Sequence, residues 1–322
     1  MLAQVVAAAV NLLLSATASI AELRRQGISW RLGNGALTEW RVLYRYSLPA
    51  LAASLMVAPV YWLANVMVFR GHNGAAEVAA VGVVNSIMTI VAYLPSILVS
   101  PALSVMSNSA HRPRQLASTL RYCLSLSALA SFPMGVAIAM VGKHLLVAFY
   151  GSQFAGEGAD LAWAMIFVGI QAIGAPMGSM LLATGRVWLG LGINAIWSVI
   201  FLALCASLIP RYHSAGYFSS LAISYMLLDV IFYAAFLYIE PEIWSGYPVC
   251  RTLSLYWGLI GLAGYLQARL PLAPALAAAA LLSASLAGVL LLIARKLHRR
   301  DVQEAALLAR AVAAEPGAPA PG

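Results

Sequence analysis

The sequence predicts an all-α polytopic membrane bundle of about nine transmembrane helices, and three observations carry that prediction. Composition is the first: of 322 residues, 62% are hydrophobic and 9% charged, with a mean hydropathy of +0.85, against about 25% charged residues in soluble domains. Such a chain cannot cover a water-facing surface, which excludes a soluble enzyme, a secreted disulfide scaffold and a disordered protein. The second is that runs such as residues 272–294 are apolar on every face, whereas strands of membrane barrels alternate with period 2. The third is the distribution of positive charge.

Windows long enough to cross the hydrocarbon, about 20 residues each, fall at 2–21, 46–69, 78–103, 118–141, 159–183, 187–209, 215–239, 252–268 and 272–294. Residues 22–45 cannot span. Residues 28–46, with Trp30, Leu32, Leu37, Trp40, Leu43 and Tyr44 among arginines, read as an interfacial amphipathic helix broken at Gly33-Asn34-Gly35. Residues 295–322 form a basic tail with a disordered Pro/Gly/Ala end.

Lys and Arg number 19 against 11 acids, a net charge of +8. Placing alternate loops on opposite sides gathers 15 of the 19 on one side: the arginines of 24–45, Arg112, Arg114, Arg121, Arg186, Arg251 and the cations of 295–310. Arg70, Lys143, Arg211 and Arg269 fall on the other. This asymmetry is the positive-inside signature, so the basic charge is an orientation signal and nucleic acid is not an expected partner. It places the C-terminus in the cytoplasm. The first apolar segment has no basic residue before it, unlike a signal peptide. Cys123, Cys205 and Cys250 lie in or beside apolar runs without metal or redox spacing and read as small hydrophobes.

Several stretches have a familiar order. Ser47-Leu48-Pro49-Ala50 opens a helix continuing through Pro59, Tyr61, Trp62 and Asn65. Further on come Phe149-Tyr150-Gly151-Ser152-Gln153-Phe154, Ala183-Thr184-Gly185-Arg186, Asn194, and Pro210-Arg211-Tyr212 followed by Gly216. Together these resemble the polysaccharide-exporter (O-antigen) flippases of the multidrug/oligosaccharidyl-lipid/polysaccharide superfamily, over roughly residues 1–240. The resemblance implies two six-helix lobes about a central cavity, often followed by two extra helices. Mapped here, 1–21 is the last helix of an N-lobe whose other five helices are missing. Residues 22–45 are the cytoplasmic inter-lobe linker, 46–239 a six-helix C-lobe, 240–294 the extra pair and 295–322 the cytoplasmic tail. The resemblance further implies a multi-pass protein of the bacterial inner membrane. Its cargo would be an undecaprenyl-diphosphate-linked oligosaccharide (an O-antigen, lipopolysaccharide or exopolysaccharide repeat unit), moved by alternating access. The surrounding membrane lipids and other polysaccharide-assembly proteins are its implied partners, and no cofactor or metal is implied. A drug/cation antiporter of the same superfamily and a non-transporting scaffold are the competing readings.

Residues with cargo-binding chemistry sit on several spans. Asp229 is the acid deep within a span, between Tyr225 and Tyr233 at i±4. Such a charge costs about 2.5–3.5 kcal/mol to insert and should face the bundle interior or water. Asn85, Thr89, Tyr93 and Ser96 form a stripe at helical spacing, and Tyr61, Asn65 and Asn194 add polar groups on neighbouring spans. Hydroxyls, amides and flat rings suit sugars; the alternative is interhelical hydrogen bonding. Arg45, Arg121 and Arg186 stand at the cytoplasmic mouths of three spans, where guanidinium forks can take a diphosphate or simply anchor the helices. Gly174 and Gly178 have the small-xxx-small spacing of close helix contacts. Arg70, Glu77, Glu157 and Asp160 read as solvated loop charges. No nucleotide loop, nucleophile elbow or metal motif occurs in the sequence, so an enzyme is not indicated.

Overall fold

The computed structural model describes residues 2–25, 43–71, 73–239 and 247–314, and among them every regular element is a helix. The interfacial helix expected around Gly33-Asn34-Gly35 and the end of the tail lie outside the described residues. Two compact units divide at Leu48/Pro49. The first contains α1 (Leu2–Arg25) and a π-helical stretch, Leu43–Ser47. Arg24 and Arg25 occupy the last turn of α1, where cations complement the helix dipole.

The second unit holds α2 (Leu48–Phe69), α3 (Gly74–Asn108), α4 (Pro113–Tyr150), α5 (Gly158–Ala183), α6 (Val187–Ile239), α7 (Val249–Gln267) and α8 (Leu272–Ala314). α6 consists of two helices that meet at a kink at His213, whose backbone is left-handed at φ 56°. The chain folds back there. The Trp197 indole donates to Ser224 Oγ at 3.2 Å, and the Phe201 and Tyr217 rings lie 5.9 Å apart. A Cβ on Gly216 would come within 2.5 Å of the Leu208 carbonyl. Residues 187–212 and 214–239 are therefore antiparallel arms, each longer than the ~20 residues a crossing needs.

Among the described residues six helices are long and apolar enough to cross a membrane, against about nine expected spans. The difference has three sources. The expected spans 187–209 and 215–239 are the two arms of α6, which counts once, while α1 and α7 are absent from those six. Polar residues explain the last case: Arg251, Thr252 and Gln267 lie within the 19 residues of α7.

Short connections between α3, α4, α5 and α6 send turns to alternate ends of the unit. Gly151 and Gly185, the glycines of two such turns, have φ of 102° and 74°, a region that side chains with a Cβ rarely enter. That requirement explains the glycine in the stretches 149–154 and 183–186. One end collects Arg112, Arg114, Arg186 and the basic part of α8; the other carries Glu77, Glu157 and Asp160. Between them the core is aromatic and close-packed. The Tyr256 ring stacks on Phe132 at 4.2 Å, and its hydroxyl donates to the Met165 carbonyl at 2.6 Å, pinning α7 to α4 and α5. Ser283 of α8 donates to the carbonyl of Pro133 at 2.8 Å.

Candidate functional site

A cavity of about 440 Å³ opens among α2, α5 and both arms of α6. Its polar lining comprises Ser54, Gln171, Asn194, Tyr225 and Asp229, on an otherwise apolar wall including Leu181, Leu228 and Phe232. Asp229 Oδ2 is shut off from solvent and has no hydrogen-bond partner among the described residues. A buried carboxyl oxygen without a partner is costly, so it marks a place where something polar is to be met.

The cavity exists because small residues stand where bulk would fill it. Gly174 and Gly178 both line it. A Cβ at Gly178 would meet nothing within 4 Å, and one at Gly174 would meet Asp229 Oδ1 at 3.6 Å. The glycine spacing that reads as a close helix contact therefore leaves a concavity here. Pro176, buried between them, interrupts the ladder in the same turn.

The expected site residues distribute unevenly. Asp229 and Asn194 meet in this cavity. Tyr61 stands behind it, its hydroxyl within hydrogen-bonding reach of Tyr225 and its ring 5.6 Å from Trp197. Asn85 lies within reach of the Tyr217 hydroxyl, an interhelical partnership. Asn65 donates to the Tyr61 carbonyl at 2.8 Å and Thr89 to the Asn85 carbonyl at 2.8 Å, so both satisfy themselves on their own helices. Tyr93 is exposed. Arg121 pairs with Asp301 of α8 in a different cavity, and Arg186 sits in the α5–α6 turn, its backbone N–H donating to the Leu181 carbonyl at 2.9 Å. Arg45 is exposed in the first unit. Gln171 was not singled out from the sequence; it is the amide within an otherwise apolar span, and that isolation is the signal that could have found it.

The acids at the opposite end are not solvated loop charges, as the sequence led us to expect. Asp160 and Glu77 are 3% and 9% exposed. His213 Nδ1 lies 3.0 Å from Glu77 Oε1, Ser214 Oγ donates to Glu157 Oε2 at 3.2 Å, and Asp160 is within reach of both Glu157 and Ser214. Glu77 and Asp160 occupy the first turns of α3 and α5, where the helix dipole favours negative charge. The kink at His213 brings the hairpin tip onto these two helix starts, which hydropathy along the sequence cannot reveal. His213→Ala is expected to destabilise the protein by about 1 kcal/mol, because Glu77 loses its partner while staying buried. Glu77→Gln in the same background should recover part of the loss. Thermal melts of the detergent-solubilised single and double variants measure the coupling, and simple additivity would refute it.

Long apolar helices around a polar, carboxylate-bearing concavity define a polytopic helical membrane protein. The MatE family profile matches residues 49–210, and the chain belongs to that family. It is also 22% identical over 175 residues to the EPS I polysaccharide export inner membrane protein EpsE of Ralstonia solanacearum, and equally to that of Ralstonia nicotianae. The matched region is 54% of this chain but 39% of each relative. No solved structure matches the chain.

Proposed function

We propose that the chain is the C-lobe part of an inner-membrane flippase that carries a lipid-linked oligosaccharide across the bilayer by alternating access. The observation that carries this reading is the Asp229 cavity. It presents one carboxyl, two amides and two hydroxyls on three helices, the donor and acceptor mixture a sugar requires. Its apolar remainder and its place among spanning helices let a lipid tail stay in hydrocarbon while the head group crosses. The similarity to a polysaccharide export protein supports the same cargo class. A facing lobe would complete the cavity, as transporters built from repeats place their sites at the repeat interface. The drug/cation antiporter remains the second reading, favoured by a deep carboxyl.

The direct test is export. In cells whose surface glycan depends on this protein, disruption should leave lipid-linked repeat units on the cytoplasmic leaflet and remove polymer from the surface. Unchanged polymer together with altered drug resistance would favour the antiporter. Orientation has its own test. With the arginine-rich end cytoplasmic, a cysteine at Asn73 is expected to react with an impermeant thiol reagent added to intact cells, while cysteines at Asn34 and Arg299 remain unlabelled. Labelling at Asn34 would overturn this orientation.

A further inference from the structure

A larger cavity, about 760 Å³, lies at the arginine-rich end between α3, α4 and α8. Its floor is apolar, with Ala102 and Leu129 among its residues, and its mouth carries Arg121, Arg295, His298 and Asp301. The charges are arranged unequally. Arg121 pairs with Asp301, which also accepts from Ser118 at 3.0 Å; their side chains are 12% and 22% exposed. Arg295 and His298 have no hydrogen-bond or ion-pair partner among the described residues. An ion pair this sheltered ties α8 to α4, and a second cation beside it leaves the mouth net positive.

The geometry points to a binding site for one anionic phospholipid, its phosphate held by Arg295 and Arg121 and its acyl chains along the apolar floor. Charge complementarity selects the head group: guanidinium forks match phosphate bidentately, and basic pockets between membrane helices suit anionic lipids. The apolar floor selects an amphiphile over a free anion. Asp301 sets the strength of the site, because its carboxylate competes with the phosphate for Arg121. Occupancy then reports on the α4–α8 tie: lipid phosphate on Arg121 weakens it, and an empty mouth restores it. The site is separate from the Asp229 cavity, with which it shares no lining residue, so it stands whatever the cargo is.

The test is native mass spectrometry of the full chain in detergent with added phosphatidylglycerol, phosphatidylcholine or undecaprenyl diphosphate. One phosphatidylglycerol should be retained in preference to phosphatidylcholine, and excess inorganic phosphate should not displace it. Arg295→Ala, on the exposed face of α8, should cut that preference about five-fold, the worth of one cation near an anionic lipid, and Arg295→Lys should restore part of it. Asp301→Asn should raise retention by removing the carboxylate that competes with the phosphate for Arg121. Three results would overturn the proposal: preference unchanged in Arg295→Ala and Arg121→Ala, weaker retention in Asp301→Asn, or displacement by inorganic phosphate. Undecaprenyl diphosphate binding more tightly than phosphatidylglycerol, with the same arginine dependence, would also overturn it by making the site one for cargo.

Discussion

On the proposed flippase function, Asp229→Asn is expected to lower glycan export at least tenfold, about 1.4 kcal/mol at the limiting step, without lowering the amount of protein in the membrane. Asparagine keeps the shape and most of the hydrogen-bonding capacity of the side chain and removes its ionisation. Asp229 stands on the cavity wall with Tyr225 and Phe232, where a Cβ on Gly174 would come 3.6 Å from its Oδ1, so an isosteric change should not disturb packing. If the carboxyl must gain and lose a proton as the cavity opens and closes, the amide stops the cycle at one stage. Asp229→Glu retains the chemistry with a longer reach and should keep part of the activity. Asp229→Leu distinguishes the alternatives. A coupling carboxyl predicts a stable but inactive protein, whereas a purely structural hydrogen-bonding acid predicts an active Asn variant and a poorly accumulating Leu variant. Surface glycan quantified alongside membrane protein level reads both quantities, and full export by Asp229→Asn would end the coupling role.

Legibility in the sequence followed the range of the forces involved. Hydropathy and charge are summed along the chain, so the helical membrane class and the places of α3, α4 and α5 in the chain could be read directly. The motif glycines were legible for the same local reason: Gly151 and Gly185 answer to backbone angles of their own turns. The two arms of α6 were legible as separate spans, whereas the docking of the hairpin tip, through His213 and Ser214, onto Glu77 and Glu157 more than fifty residues away was not. Asp229 announced itself by the cost of a carboxyl in hydrocarbon. Its companions did not: whether Asn194 joins a cavity while Asn85 faces Tyr217 depends on the rotation of each helix about its axis. Periodicity places Asn85, Thr89 and Tyr93 on one stripe, yet Asn85 is half-buried near Tyr217 while Thr89 and Tyr93 are exposed.

Charged residues illustrate the limit from the other side. Glu77 and Asp160 lie near span ends, where a sequence reading assigns solvent. The folded chain instead lays the α6 hairpin over two helix starts, which bury both acids while their dipoles favour the charge. Arg121 looked equivalent to Arg45 and Arg186 as a cation at a mouth of a span. Only the return of α8 distinguishes it, by delivering Asp301 to a residue 180 positions earlier.

Gly169 should tolerate no larger residue while Tyr256 is present. A Cβ built there would lie 2.0 Å from Tyr256 Cε1 and 2.5 Å from Cδ1, inside any permissible contact. The ring cannot withdraw, because Phe132 stacks on it at 4.2 Å and its hydroxyl is held by the Met165 carbonyl. Gly169→Ala is therefore expected to cost about 3 kcal/mol, the upper part of the usual overpacking range, and to separate α7 from α5 before the rest of the bundle opens. Tyr256→Ala alone should cost a similar amount, since it empties a fully buried aromatic site. Combined, the two changes should cost clearly less than their sum, because the new methyl occupies space that the lost ring vacated. Tyr256→Phe offers no such relief, as the clashing atoms belong to the ring; it should lose only the hydroxyl's bond, about 1 kcal/mol. Melting of the purified single and double variants in detergent supplies the cycle. A strictly additive result would mean that the α5–α7 contact is looser than the stacked geometry of Phe132 and Tyr256 requires.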